Sequence, residues 1–397
     1  MKRFLTLLLV LALLAGCGAQ DGSPEASQGE ISLESSEDLQ APQGPPGAPA
    51  DGEQSQEEPG VPQEPPLAQP DITPQQAAEL LQAGEDGLLT ISTPEELCAF
   101  AVLVNAGEED AVHARVVLTE DLNLSGMDFI PIGRDGAEFL GEFDGGGHII
   151  SGLTILGEQD NTGLFGMIGP GGTVENLHLT GGWVSGGSQV GGIAGSNGGL
   201  VFGCSFRGTV EATGQNVGGI CGILQGAQAK AGGGKLMQCA SNAQVSGHAQ
   251  VGGLVGEVQG EAGVVDCYAL GSVTAVKGQG DEAPHSIGGL AGAVTGYVTR
   301  CYASIEVFTQ VSSKVVGGLV GLIDAGVVSD CYLNAKPVEN WKLVGYSAQD
   351  LPYEVTGCTV EEITEQATFS GWDFQQVWDI AGDKNRGLPF LRVIAGG

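Results

Sequence analysis

Three segments of this chain set a Cys-Tyr pair behind a charged residue: VDCYALGSV at 265–273, TRCYAS at 299–304 and SDCYL at 329–333. Aligned on the surrounding repeat, Leu177, Cys204, Cys239, Cys267, Cys301 and Cys331 occupy one position. If that position faces inward, strand alternation turns its neighbours outward, with Asp266, Arg300 and Asp330 on one side and Tyr268, Tyr302 and Tyr332 on the other. Three rings in line, bordered by carboxylates and a guanidinium, have the makings of a strip that stacks on sugar rings and bonds their hydroxyls. The plainer reading is that stacked aromatic residues simply stabilise an exposed sheet. For the thiols, a small buried hydrophobe suits an interior ladder with rungs about 4.8 Å apart. Disulfides compete with that reading because export favours them, although ladder neighbours point the same way and a bridge needs converging Cβ vectors.

Other constellations are weaker. GEFDGGGH at 141–148 brings Glu142, Asp144 and His148 together, but Asp-Gly-Gly-Gly is first of all a turn. The five histidines are isolated and none precedes a Glu, so the H-E-x-x-H zinc motif is absent. Neither a CxxC nor a Cys/His pair occurs, and G-x-S-x-G and Walker loops are missing. We expect no catalytic residue, no metal and no cofactor. Calcium at the turns stays open, without the Gly-Gly-x-Gly-x-Asp nonapeptide that would mark it.

The elements that must position these residues are repeats. VGGIAG at 190–195 returns as VGGICG (217–222), VGGLVG (251–256), IGGLAG (287–292) and VGGLVG (316–321), with a divergent TGLFGM at 162–167. Starts are 27 to 36 residues apart, a solenoid spacing, and the longer intervals hold the insertions QGAQAKAGGGKL and VKGQGDEAPH. Each unit carries three short apolar stretches, such as GGLVG, GVVDCYAL and SVTAV, which cannot bury both faces unless neighbours stack. An antiparallel sandwich would need hairpin turns that the sequence does not offer. The expected fold is all-β, a parallel β-helix of about six rungs over 139–338. Caps are expected at 72–138, where Thr93-Pro94-Glu95-Glu96 opens a helix with a capping box, and at 339–397, around the Trp-rich 372–378.

The amino end is of another kind. Lys2 and Arg3 precede an apolar run too short to span a bilayer, which makes 1–17 a signal peptide. Its ending, Leu14-Ala15-Gly16-Cys17, resembles the lipobox of bacterial lipoproteins, in which the Cys17 thiol would be acylated. Residues 18–71 hold twelve Asp or Glu, no Lys or Arg, and most of the prolines, the composition of a disordered, self-repelling tether. Extended at about 3.1 Å per residue, it reaches far enough to cross a thick wall, which suits a Gram-positive cell surface. A formal charge of −33 argues against nucleic acid as a partner.

The repeats are similar to GLUG units, built on the GGLVG core. LTEDLNL (118–124), FIPIG (129–133) and FLGEFDGGGHIISGLTI (139–155) resemble the opening that accompanies them, and FSGWDFQQVWDI (369–380) with NRGLPFL (385–391) resembles their closing segment. The resemblance implies a bacterial surface protein with repeats of the kind that accompany IgA-cleaving metallopeptidases, without the peptidase. The expected function is non-enzymatic adhesion or ligand binding, to a glycan or an extracellular protein, by a protein held to the membrane through its lipid. The alternatives are a polysaccharide-degrading β-helix enzyme and a structural subunit of a surface assembly.

Overall fold

The computed structural model describes residues 72–394 apart from 135, 228–231, 279–284, 310–314, 335–341 and 349–350, together with the backbone of 67–68. The segment read as a signal peptide, Cys17 and nearly all of the segment read as a tether lie outside the described residues. Within them the chain folds as an all-β parallel β-helix. One coil runs through four strands: Ala249–Gly252, Val255–Val258, Gly263–Val265 and Tyr268–Ala275. Stacked coil on coil, these positions build sheets of five, seven, nine and twelve strands respectively, every ladder between coils being parallel.

GVVDCYAL, read above as one strand, is two. Asp266 between them has φ 52°, and its equivalents Asn176, Gly203, Gln238, Arg300 and Asp330 share that left-handed conformation. This corner swings the chain from the nine-stranded sheet to the long sheet. It also shows what the cysteines do. Cys204, Cys239, Cys267, Cys301 and Cys331 follow the corner residue, point into the core and are all but fully buried. Each thiol donates to the carbonyl two residues back, at 3.3, 3.3, 3.2, 3.2 and 3.1 Å in that order. A thiol thus fits a narrow interior and closes the corner at once. Among the described residues these five, with Cys221 and Cys358, are in no disulfide. Burial is the largest influence on Cys204, Cys267 and Cys331 and holds their thiols well above the usual range, so they stay protonated.

The repeated glycines have an equally local cause. The five- and seven-stranded sheets meet backbone to backbone where VGG turns one into the other. A Cβ on Gly222 would lie 2.5 Å from Gln189 C and Val190 N, main-chain atoms of the preceding coil. No side chain fits there, which is why the last Gly of each motif recurs.

The solenoid starts before residue 139. Leu88–Ile91 and Arg115–Leu118 are already the first two strands of the nine-stranded sheet, so the stack exceeds six rungs. Leu67–Ala68, in the segment read as tether, pairs with Met127–Asp128. Between the first two strands runs helix α2 (Pro94–Asn105, after α1 at Pro74–Leu80). Both helices form their capping boxes, through Thr73 with Gln76 and Thr93 with Glu96. Phe100 of α2 packs on Phe139 and Phe143, which in turn meet Phe165, closing the amino end of the core with rings.

The carboxyl-terminal segment departs from expectation. Its first part extends the sheets through Val344–Ser347 and Val355–Cys358. The Trp-rich part does not close the end of the stack: 363–394 lies along the outer face of the long sheet, held partly by its own antiparallel pair Trp378–Asp379 and Phe390–Leu391. The cause is apolar area: the tyrosine column offers a continuous surface along the side.

Candidate functional site

Tyr268, Tyr302 and Tyr332 are in register on the long sheet, and Tyr268 stacks on Tyr302 with centroids 5.1 Å apart and planes 12° from parallel. The solvent-facing strip expected from the sequence is not there. The rings turn away from the coil core but are covered, with exposures of 7%, 0% and 7%. Trp378 lies against Tyr268 and Tyr302, while Trp372 and Phe369 lie against Tyr332. The Tyr302 hydroxyl donates to Pro389 O at 2.6 Å and accepts from Asn385 Nδ2 at 2.9 Å. Burial pushes the Tyr268 phenol up to about 12 and Tyr302 well above its ordinary value. A column of rings on one side met a segment rich in Trp and Phe on the other, and burying both removed more apolar surface than leaving either exposed.

The charged neighbours are likewise structural. Arg300 grips Asp266 in a two-pronged pair, Nε to Oδ1 at 2.7 Å and a second nitrogen to Oδ2 at 2.9 Å. Asp266 is 7% exposed and also accepts from Trp378 Nε1 at 3.4 Å. The pair joins two adjacent corners and the covering segment. Asp330 offers its carbonyl to Trp372 Nε1 at 3.1 Å, and its carboxylate raises the Arg300 pKa less than that of Asp266 does.

GEFDGGGH is also where its turn places it. Asp144 Oδ1 accepts from Gly146 N and Asn176 Nδ2, and His148 Nδ1 lies 3.1 Å from Asp121. Glu142 faces Arg115 at 3.4 Å. Glu142, Asp144 and Glu175 nevertheless share the outer face of the nine-stranded sheet. There the Glu175 carboxyl is held above its ordinary value by burial, then by Asp144 and Glu142.

A concave site lies elsewhere, on the outer face of the seven-stranded sheet, with a volume of about 490 Å³. Its floor is Met167, Ser196 and Ile223, in register on three successive coils. One wall is Asn161 and Gln189, both left-handed residues at φ 55°, one position before their repeat core. The other wall is Gln225, Gly226, Ala227 and Gln259. Gln225 Nε2 donates to Ser196 Oγ at 2.7 Å, tying wall to floor. None of the lining residues is charged, in a chain with 48 Asp and Glu. The carboxylate nearest in register, Glu257 beside Ile223, accepts from Gln259 Nε2 at 3.2 Å. Sequence reasoning passed these amides over. The available signal was their place in the repeat: Gln225 and Gln259 each stand eight residues after the first Val of VGG.

No family model matches the chain, so the likeness to GLUG repeats rests on its motifs. Over 155 residues it is 35% identical to halomucin of Haloquadratum walsbyi, covering 37% of this chain and 2% of halomucin. Over 88 residues it is 38% identical to a "Putative Gly-rich membrane protein" of Evansella cellulosilytica, covering 21% of this chain and 10% of that protein. The chain therefore spans a small part of either relative's length. Among solved structures, one titled as that of a "putative immunoglobulin A1 protease" from Bacteroides ovatus matches with a TM-score of 0.57 and 18% identity, over 78% of this chain and 94% of that one. That likeness is one of fold.

Proposed function

We propose that this chain is a lipid-anchored protein of the bacterial surface, lifted from the membrane on its acidic tether, whose β-helix binds a glycan or protein of the surroundings without catalysis. The order of segments carries the reading: a short apolar run ending in Leu14-Ala15-Gly16-Cys17, an uncompensated acidic Pro-rich stretch, then a rigid solenoid. Acyl chains on Cys17 would contribute about 0.8 kcal/mol per buried methylene, enough for two or three chains to hold the protein firmly. The names of the two relatives, halomucin and a "Putative Gly-rich membrane protein", support a place at the surface. Metabolic labelling with a fatty-acid analogue tests the anchor: the protein takes the label and Cys17→Ala does not. An unlabelled native protein would remove the premise.

A second reading, a polysaccharide-degrading enzyme, has one observation in its favour, the shared face of Glu142, Asp144 and Glu175. Against it, Asp144 is spent on its turn and Glu142 is paired with Arg115. Incubation with neutral and acidic polysaccharides separates the readings. We expect no chain cleavage; cleavage lost in Glu175→Gln would establish the enzyme.

A further inference from the structure

We infer that the groove on the seven-stranded sheet is a binding site for an uncharged oligosaccharide, an inference that rests on the surface-binding reading and gives it a place and a ligand class.

Three features point there. The first is electrical. A chain of formal charge −33 repels anions, and a site for cations would use some of its many carboxylates. Instead the lining consists of amides, one hydroxyl and apolar groups, which selects a neutral partner. The second is chemical. Asn161, Gln189, Gln225 and Gln259 line it with amides, groups that give and take hydrogen bonds as sugar hydroxyls do, with one donor of Gln225 held by Ser196 and one of Gln259 by Glu257. Half-buried Met167 supplies the apolar part of the floor that the C–H face of a sugar ring can cover, Ser196 and Ile223 being packed beside it at 2% and 7% exposure. The third is geometric. The volume lies within the usual range for ligand sites, and the floor positions stand in register about 4.8 Å apart, so a short linear chain can lie across three successive coils before it reaches Glu257 on the next. A peptide strand fits less well, because strand addition needs an unpaired sheet edge. Here the floor is the face of a sheet whose middle strand, Ala194–Asn197, is paired on both sides.

The groove is also prepared. Ser196 is 2% exposed and Ile223 7%, and Gln225 is already held against Ser196. Little side-chain freedom is then lost on binding.

The test uses the full chain in detergent, with isothermal titration against cellotetraose, xylotetraose, maltotetraose and chitotetraose, and tetragalacturonate as the anionic control. We expect at least one neutral tetrasaccharide to bind and tetragalacturonate not to. The double variant Gln225→Ala with Gln259→Ala should weaken binding at least tenfold. Met167→Glu, which places a charge on the floor without touching the walls, should do the same, with unfolding midpoints near that of the parent for at least one of the two. Absence of binding by every neutral sugar, or equal binding by a folded variant, overturns the inference. Binding confined to tetragalacturonate overturns it too, while leaving the surface-binding reading intact. Failure of the anchor is read separately, in the Cys17 labelling.

Discussion

At Asp266 a carboxylate sits with 7% exposure on a left-handed corner, and it is tolerable there because Arg300 and Trp378 surround it. Removing the guanidinium leaves a nearly buried charge with one long hydrogen bond. Arg300→Ala should therefore lower stability by about 2 kcal/mol, the scale of a hydrogen bond to a charged group, the partly exposed Arg side discounting the larger cost of a deeply buried pair. Arg300→Lys should recover only part, since a lysine cannot reproduce the two-pronged contact. Urea unfolding of the two variants measures this, and an unchanged midpoint for Arg300→Ala would show the pair to be idle. The tyrosines make a second residue-scale prediction, with a pH sign. Their folded pKa values are raised by burial, Tyr268 to about 12, from an unfolded value of about 10. The neutral phenol is the form the fold prefers, so the contribution is complete below about pH 10 and is lost as pH rises through 12. In an alkaline absorbance titration, phenolate from the stack should appear together with loss of tertiary structure. Ionisation near pH 10 with the fold intact would mean that the covering segment lifts freely.

Among the elements, the VGG motif and the carboxyl-terminal segment explain most of the architecture. Gly222 faces main-chain atoms of the coil before it, and main chain cannot yield as a flexible side chain can. Gly222→Ala should cost about 2 kcal/mol or more by overpacking. Gly382→Ala, where an added Cβ meets nothing within 4 Å, is the control expected to change little. Equal midpoints for the two would refute the close-packing account of the repeat. The repeats were legible in the sequence for the same reason: a steric demand renewed at every coil leaves Gly at every coil. The corners were not legible. Asn176, Gln238, Asp266, Arg300 and Asp330 share a conformation but no one residue type, so the turn hid inside what read as a single alternating strand. The covering segment was misplaced because apolar residues after a solenoid announce burial without saying on which surface.

For the molecule as a whole, the outcome at the tyrosines shows how far pattern reaches. Period two told correctly which side of the strand each ring faces, and it carried no information about a partner some 40 to 110 residues further along, such as Trp372 or Trp378. The amide groove was hidden differently: it is assembled from separate coils, and only the place of its amides in the repeat, such as Gln225 and Gln259 eight residues after the first Val of VGG, marks it. What remains is a solenoid whose aromatic flank is sealed by its own chain and whose open concavity is neutral, proposed to stand on an acidic tether at a membrane. The most direct measurement of that claim is protease accessibility of the β-helix on intact cells, followed by fractionation of Cys17→Ala. The account predicts that externally added protease removes the cell-bound native protein and that Cys17→Ala appears in the medium. A native protein cut only after lysis, or a variant that stays with the membrane as before, would contradict it.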